Sequence, residues 1–408
     1  MAIAISLLAT IPAQATLVGG AGTHDLQVSG SSTVWPISDE AAPRFITYVS
    51  TLGAPYNSIT SVTHDSIGSG NGRNNWEAGT IDLAASSKPG SDSNIFGASY
   101  PLAGTVVNDP QEFALGRDSI AFIVPSTNTW ISQISCASID KIYTGVYTNW
   151  NQVPEATSPP DQTIKVIGRE TTSGTFDGFL NFFLVQWGHS ATNLVTGYVG
   201  ETTNQQVKTD ISGGSYPYAI AFIGLGLVDQ VPTGIKVLNL FNPTTGTYIV
   251  PTIAHVNDGT YVASGGTFTT PKVVTRWLWY FMDGIPVSGS QDAIKSLWIS
   301  FVKNDTKFIT DNGYILMNRA DMSSAPPANA GNPSTTVGTQ QIPDRLVDYW
   351  DITYFITAYI LYNGGSSHIN PYADIAQAPG GSNTGPDGVI DYWDVTAFIT
   401  LYIAANSS

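Results

Sequence analysis

The sequence predicts an α/β protein with mixed β-sheets, followed by a small helical module at its C-terminal end. Over residues 24–320, short apolar runs typical of strands alternate with helical patterns, which favours sheets whose ligand loops lie at the strand ends. Residues 321–341 are rich in Pro, Ala, Ser, Thr and Gly and are predicted to be a linker. In the last segment, 342–408, one motif occurs twice, as DYWDITYFITAYI at 348–360 and as DYWDVTAFITLYI at 391–403.

The elements of the first segment follow from local patterns. Helices are predicted in SDEAAPRFITYVSTLG, which ends at Gly53, and in TFDGFLNFFLVQWG, which ends at Gly188. Two late helices are predicted in TTPKVVTRWLWYFMDG and SQDAIKSLWISFVKNDTKFITDNG. The predicted strands include DLQVSG, SITSVTHDSIG, TIDLAASS, SIAFIVP, TIKVIGRE and GIKVLNLF.

Composition limits the kinds of partner. The chain has 408 residues, a formal net charge of −15 and only 12% charged residues. Because phosphate backbones are bound by basic patches, this charge argues against nucleic acid as a partner. A small anion is not excluded, since backbone N–H groups and one arginine can hold it. Hydroxyl and amide side chains replace charges over much of the sequence, so we expect an extracellular or cell-surface location. The single cysteine, Cys136, is predicted to be a buried, inert thiol.

The N-terminal residues 1–23 are apolar and allow two interpretations. The first is a leader, with AQA at 13–15 resembling a leader-peptidase site. The second is a retained strand that packs on this subunit or on a neighbouring one. The sequence leaves both open.

One arginine stands at a junction that suits an anion. Arg169 ends a predicted strand, and Ser173, Gly174 and Thr175 open the helix that follows. Helix N-termini present unpaired N–H groups, hydroxyls add donors, and an arginine fork binds two oxygens. The alternative is an ordinary Ser/Thr helix cap with an arginine at the surface. Three more Ser-rich loops repeat the pattern, in SGSSTVWP at 29–36, IGSGNG at 67–72 and LAASSKP at 83–89.

These segments occur in a family order. SGSSTVWPI, IGSGNGRNNWEAGTIDLAASSKP, IYTGVYTNW and IKVIGRETTSGTFDGF together resemble the phosphate-binding proteins of ABC-type phosphate uptake systems, over roughly residues 26–318. The resemblance implies a type II periplasmic-binding-protein-like fold, with two α/β lobes, two crossovers and the anion between the lobes. It places lobe I at about 24–112 and 225–320, and lobe II at about 113–224.

The same resemblance implies the anion ligands. Ser87 stands where well-studied relatives have an aspartate, which leaves the discrimination between phosphate and sulfate open. Asp177 is a candidate to orient Arg169, and His64, beside Asp65, is interpreted as structural. The implied ligands are Ser32, Thr33, Val34, Ser69, Ser87, Arg169, Ser173, Gly174 and Thr175.

The repeated motifs follow acidic loops. NTGPDGVIDYWD at 383–394 compares with the calcium-loop pattern, and the whole module resembles the dockerin family, whose paired loop–helix units bind calcium and dock to protein partners. The alternative is a pair of acidic helix caps. The expected calcium ligands are Asn383, Asp387, Asp391 and Asp394, with Asp374 supplying a further oxygen, and Asp344, Asp348 and Asp351 in the first copy. The two helices are expected to pack together through the stripes Ile352, Phe355, Ile356, Tyr359 and Val395, Phe398, Ile399, Tyr402.

We therefore expect an extracellular solute-binding protein that captures phosphate, or a similar tetrahedral oxyanion, for an ABC transporter permease. No catalytic constellation is evident, so an enzyme is not expected. The alternative is a structural subunit of a cell-surface array or filament, assembled through the N-terminal segment and the C-terminal module.

Overall fold

Two mixed β-sheets organise the protein. The computed structural model describes residues 17, 25–87, 110–284, 286, 290–316, 349–363, 373–375, 386 and 389–406. Apart from Leu17, which is buried in the core of the first sheet, the N-terminal segment 1–23 lies outside the described residues, and so does the linker.

The first sheet has five strands in the order β2-β1-β3-β14-β4. β1 (Asp25–Gly30) is parallel to β2 (Ser61–Asp65) and to β3 (Leu83–Ser86). β14 (Arg276–Asp283) is antiparallel to β3 and to β4 (Pro110–Asp118). We call this sheet, with the helices packed on it, lobe I.

Within the described ranges, four α-helices belong to lobe I, and two of them begin where a parallel strand has just ended. α1 (Trp35–Val49) follows β1 and has Pro36 in its first turn, where proline is well accommodated. α2 (Ser69–Glu77) follows β2. Near the C-terminal end of the lobe, α7 (Ala293–Asn304) packs on α1, and α8 (Thr306–Thr310) follows it.

The second sheet forms lobe II. Its strands run in the order β11-β10-β5-β9-β7-β8, with β6 beside β10. The strands are β5 (Ile120–Pro125), β6 (Gln133–Ile134), β7 (Lys165–Arg169), β8 (Val199–Glu201), β9 (Ala219–Gly224), β10 (Ile235–Asn242) and β11 (Thr247–Ile249). The lobe also contains α3 (Cys136–Tyr143), α4 (Gly174–Phe183), α5 (Asn204–Ser212), α6 (Ile253–Asn257) and the hairpin of β12 (Val262–Gly265) with β13 (Phe268–Val273).

The chain crosses between the lobes twice, at 118–119 and at 275–276. The two crossovers lie side by side, since Thr275 Oγ1 donates to the carbonyl of Asp118 at 3.2 Å and the Ser119 hydroxyl donates to the carbonyl of Val274. Lobe II therefore extends to about residue 275. The expected boundary near 224 is wrong, because β10 and β11 continue the second sheet.

The segment TTPKVVTRWLWYFMDG forms strands rather than the predicted helix. It contributes most of β13 and all of β14. Leu278 and Tyr280 face one core of lobe I, while Trp279 and Phe281 face another, so the strand is buried on both sides. A strand that is buried on both faces shows no alternation of apolar and polar residues, so periodicity alone does not distinguish it from a helix. The β-branched and aromatic residues of this segment favour a strand.

The two repeated motifs form paired helices. α9 (Tyr349–Leu361) and α10 (Tyr392–Asn406) pack through Phe355 and Phe398, whose rings are stacked with centroids 4.3 Å apart. The stripes were expected to include Ile356 and Ile399, but both side chains are about half exposed. The buried stripe of each helix is therefore narrower than the repeat suggested.

This helical pair is docked on lobe I. Phe355 and Phe398 belong to the same apolar core as α1 and α7. The hydroxyl of Tyr48 in α1 donates to the carbonyl of Pro386, and Asn304 Nδ2 at the end of α7 donates to the carbonyl of Asp374 at 3.3 Å. The C-terminal module thus shares a hydrophobic core with lobe I.

Candidate anion-binding site

Three helices begin at the cleft between the lobes. The carboxyl ends of β1, β2 and β7 lead into α1, α2 and α4, which is the arrangement that places ligand loops at one edge of an α/β sheet. Among the described residues, the N-caps of α1 and α2, Val34 and Gly68, make no side-chain capping bond, and the Ser173 hydroxyl accepts from Phe176 N at 3.1 Å at the start of α4. The first turn of each helix presents unpaired N–H groups and a partial positive charge to the cleft.

The lobes touch at Thr33 and Gly174. A β-carbon added to Gly174 would lie 1.9 Å from Thr33 Oγ1 and 2.2 Å from Thr33 Cα. Only glycine permits this approach of the two backbones. Tyr314 supports the same point from lobe I, because its hydroxyl donates to the carbonyl of Thr33 at 2.6 Å.

Two serines of lobe I meet beside this contact. The backbone N–H of Ser87 donates to Ser69 Oγ at 3.2 Å, and the two hydroxyl oxygens are 3.5 Å apart. Ser69 begins α2, and Ser87 follows β3, so the end of one strand and the start of one helix supply neighbouring hydroxyls.

The guanidinium at the centre of the cluster belongs to Arg276, the first residue of β14. Its Nη2 donates to Thr33 Oγ1 at 3.0 Å and also to the carbonyl of Gly174. Its Nη1 donates to Ser87 Oγ at 3.3 Å and to the carboxylate of Asp177. Arg276 thus joins three of the predicted ligands, from both lobes.

Two carboxylates flank this guanidinium. Asp118 Oδ2 accepts from Nε at 3.3 Å and from Nη2 at 3.1 Å, and its side chain is 1% exposed. Burial raises the pKa of Asp118, and Arg276 acts against that shift. Burial alone would lower the pKa of Arg276, but the charges of Asp177 and Asp118 outweigh it and raise the pKa. The buried arginine is therefore held in its charged form.

Arg169 bonds to backbone carbonyls of lobe II, within electrostatic reach of Tyr314 and Asp118. Its Nε donates to the carbonyl of Glu201 at 3.1 Å and its Nη2 to the carbonyl of Thr202 at 2.8 Å. Burial lowers the pKa of Arg169, and the nearby groups of Tyr314 and Glu170 oppose this shift. Asp177, a candidate to orient Arg169, instead pairs with Arg276.

The structure thus brings Thr33, Ser69, Ser87 and Gly174 into one hydrogen-bonded or packed cluster. Ser32 and Val34 lie in the turn before α1, and Ser173 and Thr175 lie at the start of α4. Sequence reasoning missed Arg276 and Asp118. An isolated arginine ahead of the aromatic run RWLWYF was the available signal, but the helix prediction hid it.

Two other singled-out side chains are structural. His64 Nδ1 lies 2.7 Å from Ser38 Oγ, which in turn contacts the hydroxyl of Tyr280. Cys136 is buried, as predicted, and burial raises the pKa of its thiol to about 11. A thiol with this pKa is almost entirely protonated at neutral pH and is a poor nucleophile.

The acidic residues of the C-terminal module are only partly described. Asp394 accepts from the N–H groups of Ile375 at 2.6 Å and Asp391 at 2.8 Å, and Asp391 Oδ1 accepts from Trp393 N at 2.7 Å. The two bonds within residues 391–394 are typical of a helix cap, whereas the bond from Ile375 N joins a distant segment to the start of α10. Asp374 is buried and Asp351 lies in the first turn of α9, while Asn383, Asp387, Asp344 and Asp348 lie outside the described residues. Within the described part, no group of three or more His, Cys, Asp or Glu side chains could hold a metal ion.

None of the helices in the described ranges is long and apolar enough to cross a bilayer.

The sequence of the chain is similar to those of several known proteins. The chain is 27% identical over 236 residues to Protein SphX of Synechococcus elongatus, a match that covers 57% of this chain and 63% of that protein, less than two thirds of its length. It is 22% identical over 255 residues to the phosphate-binding protein PstS of Staphylococcus saprophyticus, covering 60% and 69% of the two chains.

The solved structures that share the fold include the following two. One is a possible phosphate-binding protein from Planctomyces limnophilus, with a TM-score of 0.53 and 20% identity, covering 72% of this chain and 92% of the other. The second is an ABC-type phosphate transport receptor from Vibrio cholerae, with a TM-score of 0.50 and 23% identity, covering 71% and 99%. A family model described as a PBP superfamily domain matches residues 13–268. Because the matched residues are more than half of this chain, the chain belongs to the PBP superfamily.

Proposed function

We propose that this protein is a solute-binding protein that captures inorganic phosphate between its two lobes. The observation that supports the proposal is the convergence of donors from both lobes at the contact of Thr33 with Gly174. Three helix N-termini, the hydroxyls of Ser69 and Ser87 and a buried guanidinium surround this contact. The relatives named as phosphate-binding proteins support the same ligand.

The chemistry suits a small tetrahedral oxyanion. A dehydrated oxyanion needs donors around all of its oxygens, because each unpaired oxygen would lose its bonds to water. Backbone N–H groups at helix starts and serine hydroxyls supply those donors from fixed positions. Closure of the lobes at Gly174 would bring the lobe II donors of α4 onto an anion already held by α1 and α2 of lobe I.

Isothermal titration calorimetry tests the proposal directly. Phosphate added to the full chain should give a saturable heat, and sulfate in parallel establishes how far the two oxyanions are discriminated. Ser69→Ala should weaken phosphate binding by about threefold to tenfold, the value of one neutral hydrogen bond. Ser58→Ala is the control, since Ser58 bonds its own turn at the carbonyl of Pro55, far from the cleft. A wild-type protein that gives no saturable heat with millimolar phosphate would contradict the proposal.

The proposal extends to location and partner. We infer an extracellular or cell-surface protein from the hydroxyl-rich and amide-rich composition. We also infer that it passes its ligand to an ABC transporter permease, since one structure that shares the fold is named an ABC-type phosphate transport receptor. Protease added to intact cells should then degrade the protein while a cytoplasmic marker survives, and a strain without the protein should lose phosphate uptake at low external phosphate. Protection from the protease, or unchanged uptake, would count against this part.

Calcium binding by the C-terminal module is also proposed, on the acidic pattern around residues 383–394. Calcium should raise the melting temperature of the wild-type chain, and Asp387→Ala should abolish that gain. Asp394→Asn should destabilise the protein even in the presence of chelator, because Asp394 caps two backbone N–H groups. A melting temperature indifferent to calcium would overturn the metal site but not the cap. Assembly into an array stays a prediction from the sequence.

A further inference from the structure

We propose that Arg276 is an oxyanion ligand and that Asp177 competes with the oxyanion for it. The inference rests on the proposed function and names two residues that set the affinity of the same site. It follows from how completely the guanidinium of Arg276 is engaged and from which of its partners can leave.

All five N–H groups of Arg276 already have acceptors. A guanidinium has one hydrogen on Nε and two on each Nη. Nε and Nη2 donate to Asp118, Nη2 also donates to Thr33 and Gly174, and Nη1 donates to Ser87 and Asp177. An oxyanion can therefore bond to Arg276 only by displacing one of these acceptors.

Asp177 is the acceptor best able to leave. The side chain of Asp118 is 1% exposed, so its charge would be stranded without Arg276, whereas the side chain of Asp177 is 43% exposed and can turn into water. Asp177 lies in the first turn of α4, and Asn181 Nδ2 donates to its Oδ1 at 3.2 Å. That bond would hold the carboxylate near the cleft after it released the guanidinium.

The position of Arg276 suits a ligand. Its Nη1 and Nη2 already contact the hydroxyls of Ser87 and Thr33, two residues that are expected to meet the anion. The helix opposite contains Gly178, where an added β-carbon would lie 3.1 Å from Asp118 Oδ2 and 3.4 Å from Arg276 Nη2. The first turns of α4 therefore leave room for the guanidinium and its carboxylate. Arg169 is instead directed at the backbone carbonyls of 201 and 202.

Competition has a definite consequence for affinity. The bond from Arg276 Nη1 to Asp177 must be broken before Nη1 can donate to an oxyanion in its place, so the carboxylate lowers the affinity for phosphate. Removing the carboxylate and removing the guanidinium should therefore have opposite effects, and the first effect should depend on the presence of the second group.

The test is a double-mutant cycle by calorimetric titration of the full chain with inorganic phosphate. Asp177→Asn should tighten binding by about threefold to tenfold, because the amide is a weaker competitor for the guanidinium. Arg276→Gln should weaken binding by about tenfold to a hundredfold, the value of a charge-assisted bond. In the Asp177→Asn/Arg276→Gln protein the gain should disappear.

A control separates competition from a general charge effect. Asp161→Asn makes the same change of charge in lobe II. Asp161 precedes the first residue of β7, whereas the cleft lies at the last residue of that strand, so the affinity should stay unchanged within about twofold. If Asp177→Asn gives the same gain with and without Arg276, its effect is simple electrostatic repulsion and the inference is wrong.

A second variant covers the case in which Arg276→Gln does not fold because Asp118 loses its partner. Arg276→Lys keeps the charge but lacks the fork, so binding should still weaken by at least about fivefold. An unchanged affinity in Arg276→Lys would overturn the inference while leaving the phosphate-binding proposal intact. If the wild-type protein did not bind phosphate, the proposed function itself would be wrong.

Discussion

His64 is held uncharged inside lobe I. Its Nδ1 pairs with Ser38, and its Nε2 is buried without a hydrogen-bond partner among the described residues. Burial lowers the pKa of His64 from 6.5 to about 3. A proton added to this ring would therefore place an unpaired charge in the interior.

This histidine predicts an acid-sensitive stability. Between pH 6.5 and 3 the unfolded chain binds a proton that the folded chain does not, so the free energy of unfolding falls as the pH falls. The loss between pH 7.5 and 5.5 should be about 1.4 kcal/mol. Urea unfolding at the two pH values measures it. In His64→Gln the difference should shrink toward zero, and an unchanged difference would show that other groups cause it.

At the residue scale, the sequence indicates candidate ligands that lie at a local pattern, and it does not show residues that distant contacts bring to the cleft. Ser69 and Ser173 could be predicted because a strand end, a small residue and a helix start are adjacent along the chain. Arg276 could not, since its partners Asp177 and Thr33 are 99 and 243 residues away. Arg169 was predicted from its place beside a helix start, but nothing local shows that its guanidinium bonds to the carbonyls of residues 201 and 202.

At the element scale, the first turn of α4 is where the lobes meet. Gly174→Ala should therefore impair closure: the new β-carbon would overlap Thr33, and the lobe II donors would be held away from the anion. Phosphate affinity should fall by about 100-fold, the value of two or three hydrogen bonds, with little change in melting temperature. Gly53→Ala is the matched control, because no atom lies within 4 Å of its added β-carbon. Binding of wild-type strength in Gly174→Ala would show that the anion does not need this contact.

Elements with one buried face were easier to predict than those buried on both. α4 shows a helical period because Phe176, Phe179 and Phe183 face the core. β14 shows no period, since the side chains on both of its faces are buried, and it was mistaken for a helix. Because of that error, Arg276 was placed inside a predicted helix. It was therefore not recognised as a residue at the start of a strand beside the cleft.

At the scale of the whole molecule, the two lobes and the duplicated module could be predicted, but their boundaries and contacts could not. The return of the chain to lobe I at 275–276 depends on which sheet β10 joins, a pairing between distant residues. The repeat predicts two helices but not their docking on α1 and α7. Two identical apolar patterns cannot show which residues face each other, which face lobe I and which face water.

The docking of the helical pair on lobe I predicts that the two units stabilise each other. Phe398 is 4% exposed and stacks on Phe355 within the lobe I core, whereas its neighbour Ile399 is 50% exposed. Phe398→Ala should lower the free energy of unfolding by about 3 kcal/mol, and Ile399→Ala by no more than about 0.5 kcal/mol. Because the core is shared, hydrogen exchange in α7 should speed up in Phe398→Ala as well as in α10. If only α10 responds, the module is stabilised by its own pairing, and its contact with α7 contributes little to either unit.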